Sequence, residues 1–221
     1  MFADADIERC VEETPGAVFG NAGQDCCARS RILVHRQVYE EFVARFAERT
    51  MKMKVGPPID PATDVGPLIS EDQRRTSLDY IELGMKEGGR VVCGGEPIGP
   101  KGYYLSPAVV ADVDNSMRIA REEIFGPVAS VIPFRDEAEA IRIANDSDYG
   151  LSGSLWTGSA TRAIRVAKRL RTGTLSVNTN SSVRVETPFG GFKQSGLGRE
   201  LGPAAMDLYS EQRTVYFAEE D

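Results

Sequence analysis

The sequence predicts an α/β fold, an open and mostly parallel sheet flanked by helices. Three observations carry that expectation. Short strand-like runs alternate with helical patterns of roughly 10–17 residues, the arrangement that βαβ units produce. Clusters of Gly, Pro, Asn and Asp separate them as breakers. Of the 221 residues, 41% are hydrophobic, enough for one large or two small domains with a proper core.

Taken in order, the first helical pattern covers Asp6 to Glu13. Ile32-Leu33-Val34 follows as a strand, then Gln37 to Met53 as a helix with Val38, Phe42 and Phe46 on one stripe. Val55 to Pro67, carrying Pro57, Pro58, Pro61 and Pro67, reads as a surface connection longer than the usual loop, and so as one that reaches across to something. Ser70 to Glu87 is helical and opens on Ser70-x-x-Gln73, a capping box. Arg90 to Cys93 and Val128 to Pro133 are strands, Asp136 to Asn145 a helix, Leu151 to Trp156 a strand, Ser159 to Leu170 a helix and Thr174 to Val177 a strand. Asn178 to Leu201, with Gly190, Gly191, Gly196 and Gly198, is irregular and follows the last core strand, where a site-forming loop belongs. Arg199 to Leu208 has a helical pattern. Thr214 to Phe217 has strand composition but no partner nearby in sequence, so it is expected to pair with another part of the sheet or with another subunit.

Composition excludes several classes. The net charge is -7 and the 26 Lys and Arg residues are scattered along the chain, mostly singly, with no clustered basic face for a phosphate backbone, so nucleic acid is not an expected partner. No stretch approaches the roughly 18 apolar residues of a membrane span, and Met1 to Asp6 has neither a positive nor an apolar leader segment. The expectation is a cytoplasmic protein without membrane contact. The only histidine, His35, ends the run Ile32-Leu33-Val34 and reads as a strand-end residue, which leaves no Ser-His-Asp triad. Cys10, Cys26, Cys27 and Cys93 lack C-x-x-C spacing, and no metal site is expected.

Cys26 is the candidate nucleophile. A cysteine attacks only as a thiolate, which requires exposure and a positive field such as backbone amides at a turn. Gly23 permits a tight approach, and Gln24-Asp25 is improbable in a buried strand. On these residues alone a buried structural cysteine remains the alternative. Cys27 is expected to point elsewhere and to be structural.

Longer patterns add to this. Phe19-Gly20-Asn21-Ala22-Gly23-Gln24-Asp25-Cys26-Cys27 resembles the active-site cysteine signature of the aldehyde dehydrogenase family. Glu122-Glu123-Ile124-Phe125-Gly126-Pro127 resembles its second signature, and Pro188-Phe189-Gly190-Gly191-Phe192-Lys193-Gln194-Ser195-Gly196 its third. They occur in family order, and the resemblance covers essentially the whole chain. It implies an α/β catalytic domain, oxidation of an aldehyde to a carboxylic acid with NAD or NADP, and attack by Cys26 through a thiohemiacetal and a thioester.

The resemblance further implies that Glu123 accepts hydrogen bonds from the nicotinamide ribose and that Phe125 packs at the same end. Leu151 matches an apolar position beside the nicotinamide, although a core leucine explains it equally well. Gln73 aligns near the adenosine ribose, a role compatible with its capping box. Asp25, Thr179, Val183 and Phe189 match positions lining the aldehyde tunnel, and an acid at 25 suits a cationic substrate. Gly196-x-Gly198 is not a dinucleotide fingerprint, since Leu201 stands where the third glycine belongs.

Family chains are roughly twice this long, and the resemblance places the dinucleotide-binding domain, an oxyanion-hole asparagine and the general-base glutamate in an absent amino-terminal half. Residues 1–200 are then the catalytic domain, and 201–221 a helix and a strand for homo-oligomerisation as a dimer or tetramer. The competing expectation is an inactive fragment that keeps the fold and the association surface. A stand-alone Cys hydrolase would need a base near Cys26, and His35 is poorly placed to serve.

Overall fold

A computed structural model describes residues 1–181 and 183–219. Helix α1 (Ile7–Phe19) is capped by the Asp6 carboxylate, which accepts from Arg9 N–H; β1 (Arg31–His35) and α2 (Tyr39–Met51) follow. Ser70 Oγ accepts from Gln73 N–H to start α3 (Glu71–Lys86), which leads to β2 (Arg90–Cys93) and β3 (Ala108–Ala111). A single turn, α4 (Arg118–Arg121), precedes β4 (Val128–Phe134), and α5 (Glu137–Asn145) is capped by Asp136. Then come β5 (Tyr149–Gly150), β6 (Ser152–Leu155), α6 (Ala160–Ala167) capped by Ser159, β7 (Thr174–Val177) and β8 (Phe192–Lys193). Each of these four side-chain caps stabilises its helix by about 1 kcal/mol.

The main sheet has the order β1-β4-β3-β2, parallel except for the β2–β3 edge. β6 and β7 form a parallel pair, and β5 and β8 an antiparallel one. The α/β fold with a mostly parallel sheet is thus the one observed. Side chains alternate across the main sheet. Val109, Ala111, Ala129 and Val131 join Phe19, Phe42 and Phe46 in one core, while Ala108, Val110, Val128 and Ile132 join Ile81, Ile141 and Val166 in the other. Helices therefore cover both faces, and β3 is buried at every residue.

Several elements depart from the sequence expectation. β3 was not anticipated, because a strand buried on both sides shows no alternation to detect. α1 passes Glu13 and runs on through Pro15 to Phe19, since Pro15, Val18 and Phe19 are all buried there. The helix expected over Arg199 to Leu208 does not form: Leu201 and Gly202 take positive φ of 59° and 66°, and Pro203–Tyr209 is a 3-10 helix. Among the described residues Thr214 to Phe217 pairs with no strand, so the first of its two expected pairings, within the sheet, is not met, and Val215, Tyr216 and Phe217 are exposed. Glu220 and Asp221, at the end of the expected 201–221 unit, lie outside the described residues, as does Ser182. Among the described residues no helix is long and apolar enough to cross a membrane.

Two residues join the main sheet to the β6–β7 pair. Met1 N donates to Leu33 O (2.6 Å) and His35 N to Met1 O (3.0 Å), while Phe2 N donates to Trp156 O (2.9 Å). Met1–Phe2 thus lies between β1 and the end of β6. His35 ends β1 as expected, with its ring edge against Phe134.

Candidate active site

The Cys26 loop is shaped by backbone strain and one close contact. After α1, Asn21, Ala22 and Gly23 take left-handed φ of 51°, 56° and 69° in succession, costly for the first two. Compensation comes from Asn21 Nδ2 donating to Gln24 O (2.9 Å) and Ile69 N donating to Gln24 Oε1 (3.0 Å). Gly23 lies directly on the backbone of Gly126, so that a Cβ there would sit 2.2 Å from Gly126 O. The first signature is locked onto the second at this point.

Next, Cys27 N donates to Asp25 Oδ1 (2.7 Å) and Ala28 N to Asp25 O (2.9 Å), a turn with the two cysteines at its centre. Cys26 is exposed. Cys27 does not point elsewhere, as its sequence position suggested; it is half-buried and its Sγ lies 3.9 Å from that of Cys26. Burial, then the neighbouring Cys26, push the Cys27 thiol up to about 11. At neutral pH Cys27 is therefore a thiol rather than a thiolate. The Arg29 guanidinium crosses to β6, donating to Ser154 Oγ (2.9 Å).

The second loop divides the labour of its two acids. Arg118, and secondarily the Tyr80 hydroxyl, hold the Glu122 carboxyl down at about 2, leaving Glu122 a structural anion. Glu123 is exposed and faces a cleft. Phe125, at φ 56° and 43% exposed, presents its ring beside it. Only half of the expected capping box forms, because the Gln73 side chain is used elsewhere: its Nε2 donates to Ile124 O (2.8 Å) and Phe125 O (2.9 Å). Gln73 thus holds the loop that presents Glu123 and Phe125. Gln73→Ala should lower unfolding free energy by about 1–2 kcal/mol, since two carbonyls lose their donor. Urea denaturation checks this, and an unchanged midpoint would show that the loop is held by other means.

The cleft measures about 510 Å³ and brings together Asp25, Cys26, Glu123, Phe125 and Leu151. Leu151 lies at a bend between β5 and β6 rather than opening the strand. The remaining candidates do not line it: Gln73 is behind the Glu123 loop, Thr179 follows β7, Val183 is 52% exposed, and Phe189 bridges to Glu200. The cleft also contains Asn180, Gln194 and Ser195, which sequence reasoning passed over, although the last two sit inside the third signature. Ser195 Oγ accepts from Gly150 N (3.0 Å), and Lys193 Nζ donates to Asn145 O (2.7 Å) and Ser147 O (2.9 Å), fastening that signature to the wall. A separate open hollow of about 460 Å³ on α3, between Asp79, Tyr80 and Arg118, contains no thiol.

Known proteins decide the ancestry of this arrangement. Residues 1–215 match the Aldehyde dehydrogenase family. The chain belongs to that family. It is 46% identical to an aldehyde dehydrogenase of Emericella nidulans over 98% of this chain and 44% of that protein. It is also 46% identical to a mitochondrial aldehyde dehydrogenase of Leishmania tarentolae over 97% of this chain and 43% of that one. The Mycobacterium tuberculosis aldehyde dehydrogenase solved with NAD+ superposes with a TM-score of 0.91 at 44% identity, covering 96% of this chain and 44% of the other. The chain thus spans less than half the length of the aldehyde dehydrogenases it matches.

Proposed function

We propose that this chain is the catalytic portion of an NAD(P)-dependent aldehyde dehydrogenase, with Cys26 as the attacking thiol. The observation that carries this reading is the exposed Cys26 in one cleft with Glu123, Phe125 and Leu151. The thiolate adds to the aldehyde carbon, the Cys26 N–H donates to the oxyanion that forms, and water later releases the acid from the thioester. The cleft residues fit one end of a dinucleotide: the exposed Glu123 carboxylate can accept ribose hydroxyls while Phe125 and Leu151 offer apolar surface. When bound, the oxidised nicotinamide supplies the hydride acceptor. Asp25, which lines the cleft, is assigned to the aldehyde path, whereas Thr179, Val183, Phe189 and Gln73 stand outside the cleft and carry no contact in this reading.

Residues 1–200 form the catalytic unit and 201–221 the association segment, in which exposed Val215, Tyr216 and Phe217 augment another subunit's sheet to give a dimer or tetramer. The compartment is the cytoplasm. The chain's share of its relatives' length, 44%, favours a second reading of the isolated chain, one that keeps fold and association surface without turnover. Purified alone, it should form no NADH or NADPH from aldehyde.

A chimera tests the first reading: residues 1–215 replace the matched part of the Emericella nidulans enzyme. The chimera should reduce NAD+ or NADP+ with aldehyde, lose at least roughly 10³-fold in kcat on Cys26→Ser, and change only a few-fold on Cys27→Ser. Equal turnover with and without the Cys26 thiol would remove it as the nucleophile.

A further inference from the structure

From the geometry we infer that Asp25, Cys26 and Cys27 form a chelating site for one thiophilic divalent cation of the zinc and cadmium class, open to the cleft. The Sγ atoms of Cys26 and Cys27 are 3.9 Å apart, and a carboxylate oxygen of Asp25 and both sulfurs lie within 4.8 Å of one another. Tetrahedral zinc with Zn–S bonds of ~2.3 Å sets its two sulfurs about 3.8 Å apart, so a shared cation closes the pair with almost no movement. A direct S–S bond is a poorer match. It needs about 2.05 Å between sulfurs and Cα atoms at least ~4.4 Å apart, whereas adjacent Cα atoms stand ~3.8 Å apart. Adjacency is also why C-x-x-C templates overlook the pair.

Asp25 is the third ligand. One of its oxygens already accepts from Cys27 N–H, which pins the loop in this conformation, and a carboxylate has acceptor capacity to spare. Two sulfurs and one oxygen leave a fourth position for water, the pattern of an open rather than a closed zinc site. Asp25 and Cys26 are exposed, which gives the cation a path in from solvent. On binding, the two thiols lose their protons to solvent and each sulfur gives a lone pair to the cation; nothing is oxidised or reduced. A cation held this way occupies the Cys26 sulfur and blocks its attack reversibly. The site itself stands on geometry and does not depend on Cys26 being the nucleophile.

The test titrates the 221-residue chain with Zn2+ against a chromophoric chelator, with a non-thiol reductant present. One equivalent should bind. Loss of an outer-shell partner already costs ~10–100-fold in metal affinity, so Cys26→Ser and Cys27→Ser should each weaken binding by about 100-fold or more. Asp25→Asn, which keeps an acceptor for Cys27 N–H, should weaken it by about 10-fold. Cys10→Ser, at a buried thiol of α1, should leave it unchanged. Far-ultraviolet circular dichroism confirms that each variant is folded, and Cd2+ in place of Zn2+ should give a thiolate charge-transfer band that both Ser variants lose. Failure to bind one equivalent overturns the site, as does a Cys26→Ser or Cys27→Ser variant, folded by circular dichroism, that keeps wild-type affinity. Neither result bears on the chimera's turnover, so the two readings fail separately.

Discussion

Gly23→Ala should destabilise the chain by about 4 kcal/mol or more, which for a protein of this size lowers Tm by roughly 10 °C. Two causes add. At φ 69° any L side chain is strained by about 1–2 kcal/mol. The added Cβ would also sit 2.2 Å from Gly126 O and 2.4 Å from Gly126 C, and both are backbone atoms that cannot rotate away. Relief requires parting the Cys26 loop from the Glu123 loop, so the cleft should widen as the chain weakens. Gly20→Ala is the matched control. Gly20 has φ -51° and its Cβ would meet nothing within 4 Å, so the change should stay within about 0.5 kcal/mol. Calorimetry on the two variants decides, and similar Tm values would mean that the Gly23–Gly126 contact does not constrain the loops.

The second large effect is on the pH dependence of stability. When the 221-residue chain is made with a free amino group at Met1, burial of that group between β1 and β6 lowers it from the usual 8.0 to about 6. Between pH 6 and pH 8 the unfolded chain therefore carries a proton that the folded chain has released, and stability rises with pH across that window. Above pH 8 both states are neutral and the effect is complete; below pH 6 both are charged and the burial penalty is felt in full. Two units correspond to about 2–3 kcal/mol. Denaturation midpoints at pH 5.5 and 8.5 should differ accordingly, and acetylation of the α-amino group should remove most of the difference. The acetylated nitrogen keeps its N–H for Leu33 O, so the bond survives while the charge does not. A slope that persists after acetylation would assign it to other groups.

Much of the architecture was legible because its signals are local. Asp6, Ser70, Asp136 and Ser159 cap the helices they precede, and the strands with a visible pattern form where expected. β3 was hidden because it is apolar throughout, and the continuation of α1 through Pro15 because the burial that holds it belongs to the tertiary fold. In the cleft, Cys26, Glu123 and Phe125 could be named in advance from short signatures, and Leu151 only from a matching position that a core leucine would explain equally well. The contact that assembles them, Gly23 on Gly126, joins segments far apart in sequence, and only the closed fold reveals it. The same holds for Gln73, whose cap reads from spacing while its grip on Ile124 and Phe125 does not. The Cys26–Cys27 separation depends on a turn geometry that composition does not encode.

The Met1–Phe2 bridge has a mechanical consequence. Cys26 and Glu123 stand on segments packed around the main sheet, whereas Leu151 and Ser154 belong to the β6–β7 side. Backbone bonds through Met1 and Phe2 and the Arg29–Ser154 bond tie the two sides together along this line. These bonds run over a shared core, in which Ile132 and Phe134 of the main sheet pack with Leu155 and Val166 of the other side. Opposite walls of the cleft therefore rest on one continuous core, and the reach between thiol and far wall is set by how tightly that core is filled.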